Sequence, residues 1–495
     1  MNRRYLLAAL CLSALALQST ADAQLFRRLR SPETPETPDP KDDKNLNPAH
    51  NPLRNQAEDR YQTGDFSGCE QLCNTILAQN PNDHVALYLR SSARVEQGQV
   101  TANGDLLRSG IEDARQAIRV GGSSQINYYL PYMYGMTGLS GLEGKPEHAG
   151  VSVQVADSVL ARATVAGQER ANVFYQKALA LVAQRKLDEA IAAYQAAIQA
   201  FPSHLGARLG LGDTYVMAGK APEAEQAFTA AAAAFPDNAL VYNNRGMLYQ
   251  QTNRPNEAIA DFSRAMQLDK DLTVARINRG FALMNAGNLT AAEADFTESI
   301  TEDPENPLPY GLRASCRLLR GDAAGAQADY EQVIQMDDKN PVARGDVGFV
   351  KYFSKDYPGA MDAFNQAVTI NRNLRYLQPW QYLCMMRSGQ AEQAAKSFEA
   401  VLNKPVDQQD WIDKLMLFLS GRITEDQLRA AISTDANLKV AQGCEAAFFA
   451  AEKRAIGGDT AGANALYQQA VSSNIRQLSA FRGALYALGK FVPAQ

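Results

Sequence analysis

Four histidines remain once an N-terminal leader is set aside: His50, His84, His148 and His204. No two are close in sequence, and none belongs to a pair with the spacing of a helical zinc site such as HExxH. The stretch "NRGFALMNAGNLTAAEADF" (278–296) has the glycine content of a phosphate-cradling loop. Yet Gly280 sits among Phe281, Leu283 and Met284, inside an apolar helix pattern, and no Gly-Lys-Ser/Thr end follows to hold a phosphate and its metal. There is no GxSxG elbow and no dinucleotide fingerprint after a strand. No catalytic residue, cofactor or metal is therefore assigned, and the chain is read as not an enzyme. The remaining reactive groups are Cys69, Cys73, Cys316, Cys384 and Cys444. Cys69 and Cys73 lie one helical turn apart, near the long limit for a bridge. They are read as small packing residues, with a disulfide between them as the alternative.

The elements that carry these residues repeat. Ala190, Ala224, Ala258, Ala292, Ala326, Ala360 and Ala394 recur in 34-residue steps. Four residues after each comes an aromatic: Tyr194, Phe228, Phe262, Phe296, Tyr330, Phe364 and Phe398. Ala178, Gly212, Gly246, Gly280, Ala314 and Gly348 keep the same step upstream. Such self-similarity marks a helix–turn–helix array. Small residues suit the points where two helices cross closely, and the aromatic one turn on fills the groove beside the contact. Gly287 suits a helix C-terminus with left-handed backbone. Asp261, Asp295 and Asp329 also recur, just before the aromatic, and are read as a solvated helix face.

This pattern resembles the tetratricopeptide repeat (TPR) family. Pro202, Pro236 and Pro304 match its closing proline, whereas Lys270, Asp338 and Arg372 depart from it. The expected fold is all-α: a right-handed TPR superhelical solenoid of about twelve helix–turn–helix units, the terminal ones divergent. In order, we expect a signal peptide (1–23), a Pro- and charge-rich tether (24–52) and divergent N-terminal units with an insertion at "QVTANGDLLRS" (53–164). Seven regular units (165–404) and divergent C-terminal units with a capping helix (405–495) follow. In the C-terminal part, Thr424 and Gln427 form a capping-box start.

The leader has Arg3 and Arg4, an apolar stretch from Tyr5 to Leu17, and Ala21-Asp22-Ala23 as cleavage site, so the mature chain begins at Gln24 in the periplasm or outside the cell. Cys11 follows Leu10 rather than a small residue, which argues against lipidation. Nothing further along approaches the roughly 20 apolar residues of a membrane span. The formal charge of −5 becomes about −6 once two arginines and one aspartate leave with the signal peptide. Nucleic acid is not an expected partner. Residues 24–30, basic with Leu25 and Phe26, either touch an acidic surface or headgroups or form a plain unstructured terminus; composition favours the second.

The TPR resemblance implies that helix A of each unit lines a concave groove. Its family positions fall at Leu209, Val216 and Met217, then at Asn243, Asn244, Met247 and Gln250. They continue at Ile277, Asn278, Phe281 and Met284, at Leu318 and Leu319, and at Phe349, Tyr352 and Phe353. The lining is strongly apolar, and three states are open to it: packed within the superhelix, open to an apolar peptide, or filled by the tether. A carboxylate clamp is not expected, because Leu209, Asp213 and Val274 replace its basic residues and only Asn244 and Asn278 match. From Trp411 onward, "CEAAFF" and "FRGALYALGKF" resemble bacterial envelope TPR lipoproteins that scaffold murein hydrolases. The expected function is a non-catalytic scaffold or adaptor of the bacterial envelope that binds a protein or peptide in this groove. The alternatives are a holdase-like carrier of unfolded exported proteins and an accessory subunit of an envelope enzyme.

Overall fold

A computed structural model describes residues 52–491. The leader, nearly all of the tether and His50 lie outside the described residues. Within them every regular element is helical and there is no strand. The chain divides into two compact units, which are described separately.

The N-terminal unit holds residues 52–254 and 267–269. Its helices are α1 (Pro52–Gln62), α2 (Phe66–Gln79), α3 (His84–Val100), α4 (Gly104–Gly121), α5 (Tyr129–Glu143) and α6 (Pro146–Leu160). They continue with α7 (Gly167–Ala183), α8 (Leu187–Ala200), α9 (Leu205–Met217), α10 (Ala221–Ala234) and α11 (Ala239–Gln251). Short links join neighbours, so successive helices pack as antiparallel pairs. Asp83 and Asn238 accept from the backbone N–H groups of Ala86 and Leu240, which fixes where α3 and α11 start. The 34-residue pattern acts at the crossings: a Cβ at Gly212 would lie 2.5 Å from the ring of Phe228, itself wholly buried. Close approach therefore requires glycine there.

One sequence expectation is corrected here. "QVTANGDLLRS", read as an insertion between two helices, is mostly helical itself, because α3 runs to Val100 and α4 begins at Gly104. Asn103 caps α4 by accepting from the N–H groups of Asp105 and Leu106. A Cβ at Gly98 would meet Leu107 at 2.9 Å, so the longer helices cross closely over this stretch.

The C-terminal unit holds residues 255–266 and 270–491. It comprises α12 (Pro255–Leu268, its last two residues grouped with the other unit), α13 (Thr273–Ala286), α14 (Leu289–Glu302), α15 (Pro307–Arg320), α16 (Ala323–Met336), α17 (Pro341–Phe353) and α18 (Tyr357–Ile370). Then come α19 (Gln378–Arg387), α20 (Ala391–Ser397), α21 (Glu399–Leu402), α22 (Trp411–Leu419), α23 (Glu425–Ala430), α24 (Ala436–Ile456), α25 (Thr460–Ser472) and α26 (Ser479–Leu488). The capping box expected at Thr424 and Gln427 is present. Gly287 ends α13 in the left-handed region at φ 95°, as its sequence position suggested. α26 packs on α24 and α25 as a cap, but it also reaches back to α15 and α17.

Asp295 and Asp329 do not form a solvated face. They are 5% and 4% exposed and receive paired hydrogen bonds from arginines sixteen residues upstream. Arg279 holds Asp295 at 2.9 and 2.6 Å, and Arg313 holds Asp329 at 3.0 and 2.7 Å. Arg317 adds a third bond to Asp329 at 2.9 Å. Planar guanidinium forks suit carboxylates in this way, which allows the charges to be buried. Asp261 is likewise buried, at 7% exposed.

Candidate functional site

The groove positions read from the sequence fall into two groups, because the helices that carry them belong to different units. On α9 and α11 of the N-terminal unit, Leu209 and Asn244 are buried, at 1% and 2% exposed. Val216 and Met247 are half-buried, and Met217 is 47% exposed. Leu209 thus forms a floor, while Val216, Met217 and Met247 offer apolar surface above it. The polar groups of this face are organised: Asn243 donates to Asn244 at 3.3 Å, and Asn244 donates to Asp213 at 3.5 Å. Two glutamines add acceptors. Oε1 of Gln250 on α11 and Oε1 of Gln176 on α7 are shielded from solvent and receive no hydrogen bond.

In the C-terminal unit the same register is covered by the chain itself. Ile277, Asn278, Met284, Leu318, Phe349, Tyr352 and Phe353 are each less than 9% exposed, and Phe281 is half-buried against them. Of the three states left open by the sequence, these positions are in the packed one. Among the described residues the cover comes from the last regular repeat and the divergent helices that follow it. Trp380 of α19 packs edge-on to Phe349 and Tyr352, and Phe448 and Phe449 of α24 pack on Trp380 in turn. Tyr486 of α26 stacks on Phe353 at 5.2 Å. Arg476, just before α26, donates to the carbonyl oxygens of Met284 and Asn285. Those carbonyls belong to the last turn of α13, where cations are favoured; Met284 also accepts from the Gly287 N–H at 3.1 Å.

A carboxylate is enclosed in the same unit. Glu452 of α24 is 4% exposed and accepts from Tyr352 at 2.7 Å, Tyr467 at 2.6 Å, and Arg387 at 2.9 and 2.6 Å. Oε2 accepts three of these bonds and Oε1 the one from Tyr467. Burial, followed by the Glu452 charge, pushes the Tyr352 hydroxyl well above the usual phenol range. This constellation ties α17, α19, α24 and α25 together.

The three described histidines have structural partners. His84 Nδ1 lies 2.5 Å from the Tyr128 hydroxyl, and His148 Nε2 lies 3.2 Å from Glu143. His204 caps α9 by accepting from the Ala207 N–H at 3.1 Å, and burial lowers its pKa to about 4. Cys69, Cys73, Cys316, Cys384 and Cys444 are free thiols and fully or almost fully buried. Among the described residues no three His, Cys, Asp or Glu side chains are grouped to hold a metal ion, and no helix is long and apolar enough to cross a membrane.

Comparison with known proteins agrees with the repeat reading. The tetratricopeptide-repeat sequence models match residues 175–239 and 277–341, and a second such model matches 239–272. The chain therefore contains TPR repeats. No curated protein matches it. Among solved structures, a tetratricopeptide repeat protein from Parabacteroides merdae ATCC 43184 is 19% identical, covering 52% of this chain and 99% of its own with a TM-score of 0.41. Yeast Tom70 is 12% identical, covering 78% of this chain and 97% of its own, with a TM-score of 0.40. YrrB, described as a TPR protein with an unusual peptide-binding site, is 23% identical over 34% of this chain and 88% of its own, with a TM-score of 0.30.

Proposed function

We propose that the protein is a non-catalytic adaptor that holds a partner peptide on the inner face of α7, α9 and α11. The observation that carries this reading is the coexistence, on one face, of exposed apolar side chains and shielded acceptors without donors. Met217, Val216 and Met247 would take apolar side chains of the peptide, each contributing about 1.5–3 kcal/mol when well buried. Oε1 of Gln250 and of Gln176 would accept from its backbone N–H groups, which removes the penalty of leaving them unpaired. An extended peptide supplies both in alternation.

The setting we propose is the bacterial envelope. It is supported by the leader at residues 1–23 and by the resemblance of the stretch from Trp411 to envelope TPR lipoproteins that scaffold murein hydrolases. N-terminal sequencing of the protein from its host should then begin at Gln24.

The test is a photoreactive residue at Met217, with Gln226 on the exposed side of α10 as control. A discrete adduct at Met217 alone supports an adaptor. A smear of many adducts, with suppressed aggregation of unfolded clients, would replace it by the carrier reading. No adduct at Met217 would end the peptide-groove proposal.

A further inference from the structure

The covered groove of the C-terminal unit holds its occupant by apolar contact, with polar atoms left over. α26 buries Ala480, Phe481, Ala484 and Leu485, and Gly483 sits so close that a Cβ would meet Phe448 at 2.7 Å and Phe353 at 3.1 Å. Phe491 lies over the end of α15, 2.8 Å from where a Cβ of Gly321 would stand. Arg482 is 7% exposed and donates to the Gln477 carbonyl at 3.3 Å; its charge also favours the ionised carboxyl of Asp346 on α17, which burial pushes up to about 6.

The polar bookkeeping is less complete. Among the described residues of this unit, five shielded side-chain atoms have no hydrogen-bond partner, and three belong to residues 476–486: Arg476 Nε, Arg482 Nε and Tyr486 Oη. Each such atom weakens the hold of the segment several-fold relative to one that is satisfied.

We propose that residues 475–491 are an exchangeable intramolecular ligand. The groove over α13, α15 and α17 takes in its place a short helix of a partner protein, with an aromatic–aliphatic face and an arginine opposite Asp346. The resident segment is the template for that chemistry: Phe481 and Leu485 lie one turn apart on the buried side, with Arg482 beside them. The N-terminal groove plays no part in this, so failure here leaves the Met217 reading standing, and the reverse holds.

The test uses the full chain and a fluorescent peptide of residues 475–491 added in trans, with binding read by anisotropy. Arg476→Ala releases the two carbonyls of α13 and should bind the peptide at least about fivefold more tightly than wild type. Tyr486→Phe removes an unpartnered hydroxyl without changing shape, so it should bind the peptide more weakly than wild type. Asn285→Cys with Gln477→Cys, joined by a short thiol-reactive bridge, should bind none; the native cysteines of the described residues are buried and unreactive to it. A peptide carrying Arg482→Glu should fail on the Arg476→Ala protein. Equal affinity across the variants, or equal binding of the Arg482→Glu peptide, would overturn the proposal. Dimerisation of the Arg476→Ala protein, seen by light scattering, would overturn it in favour of arm exchange between copies. Should Arg476→Ala unfold, the comparison of Tyr486→Phe with wild type still decides.

Discussion

The Tyr352 hydroxyl donates to Glu452 at 2.7 Å across a hundred residues of sequence. Arg387 and Tyr467 complete the cage. Removing the carboxylate leaves a guanidinium, 22% exposed, without its partner. Glu452→Ala should therefore destabilise the C-terminal unit by about 3–5 kcal/mol. Tyr352→Phe deletes one bond to a charged acceptor and should cost about 1.5–3 kcal/mol. Urea denaturation of both variants checks the order; a larger loss for Tyr352→Phe would contradict the cage.

The arginine–aspartate pairs predict an asymmetry. Asp295 is 7% exposed and Arg279 27% exposed at the side chain. Arg279→Ala strands a buried carboxylate, whereas Asp295→Ala leaves an arginine that can turn toward water. Arg279→Ala should cost about 1–2 kcal/mol more than Asp295→Ala, in the same denaturation assay.

At the helix crossing, a Cβ on Gly280 would lie 2.7 Å from Phe296, which is wholly buried. Gly280→Leu should cost about 1–3 kcal/mol by overpacking, and Phe296→Ala about 3–5 kcal/mol by cavity formation. The two should not add: in the Phe296→Ala background the leucine fills space, so its penalty shrinks or changes sign. Thermal melts of the two single variants and the double variant measure this coupling.

Two titrations act in opposite directions. Burial lowers His204 from an ordinary value near 6.5 to about 4, so the folded state binds fewer protons in that window. Its contribution is present above pH 6.5 and is lost as pH falls toward 4, where the ring can no longer accept from Ala207. Burial raises Glu445 from about 4.5 to about 7, against the bond it accepts from Trp411. That contribution is present below pH 4.5 and is lost as pH rises through 7. His204→Asn should flatten the acid limb of the stability–pH curve. Glu445→Gln should flatten the neutral limb and stabilise at pH 8 by about 1–3 kcal/mol.

The repeating bricks were legible because small and aromatic residues obey one period, and that period is local physics. Ala292, Phe296 and Gly287 stand where the pattern put them. Asp295 was misread because its partner arginine lies sixteen residues upstream, on another helix, and a single-helix view shows only a recurring acid. Asn103 shows the same limit: "QVTANGDLLRS" reads as an insertion, but its asparagine caps a helix that starts at once. The occupant of the C-terminal groove was the least legible, since contacts between Phe353 and Tyr486 leave no periodic trace. One sign was present. The lining at Phe281, Met284, Leu318 and Phe349 is more apolar than a face meant for water, whereas the N-terminal lining includes Asn243 and Gln250.

Arg476 meets the carbonyl of Met284 from 192 residues further along the chain. At roughly 5–20 residues per second, a ribosome would need about 10–40 s to make that intervening stretch. During this interval α13 exists and the segment that covers its end does not. The groove therefore has an age-dependent state: uncovered on every nascent chain until residues 475–491 have been made.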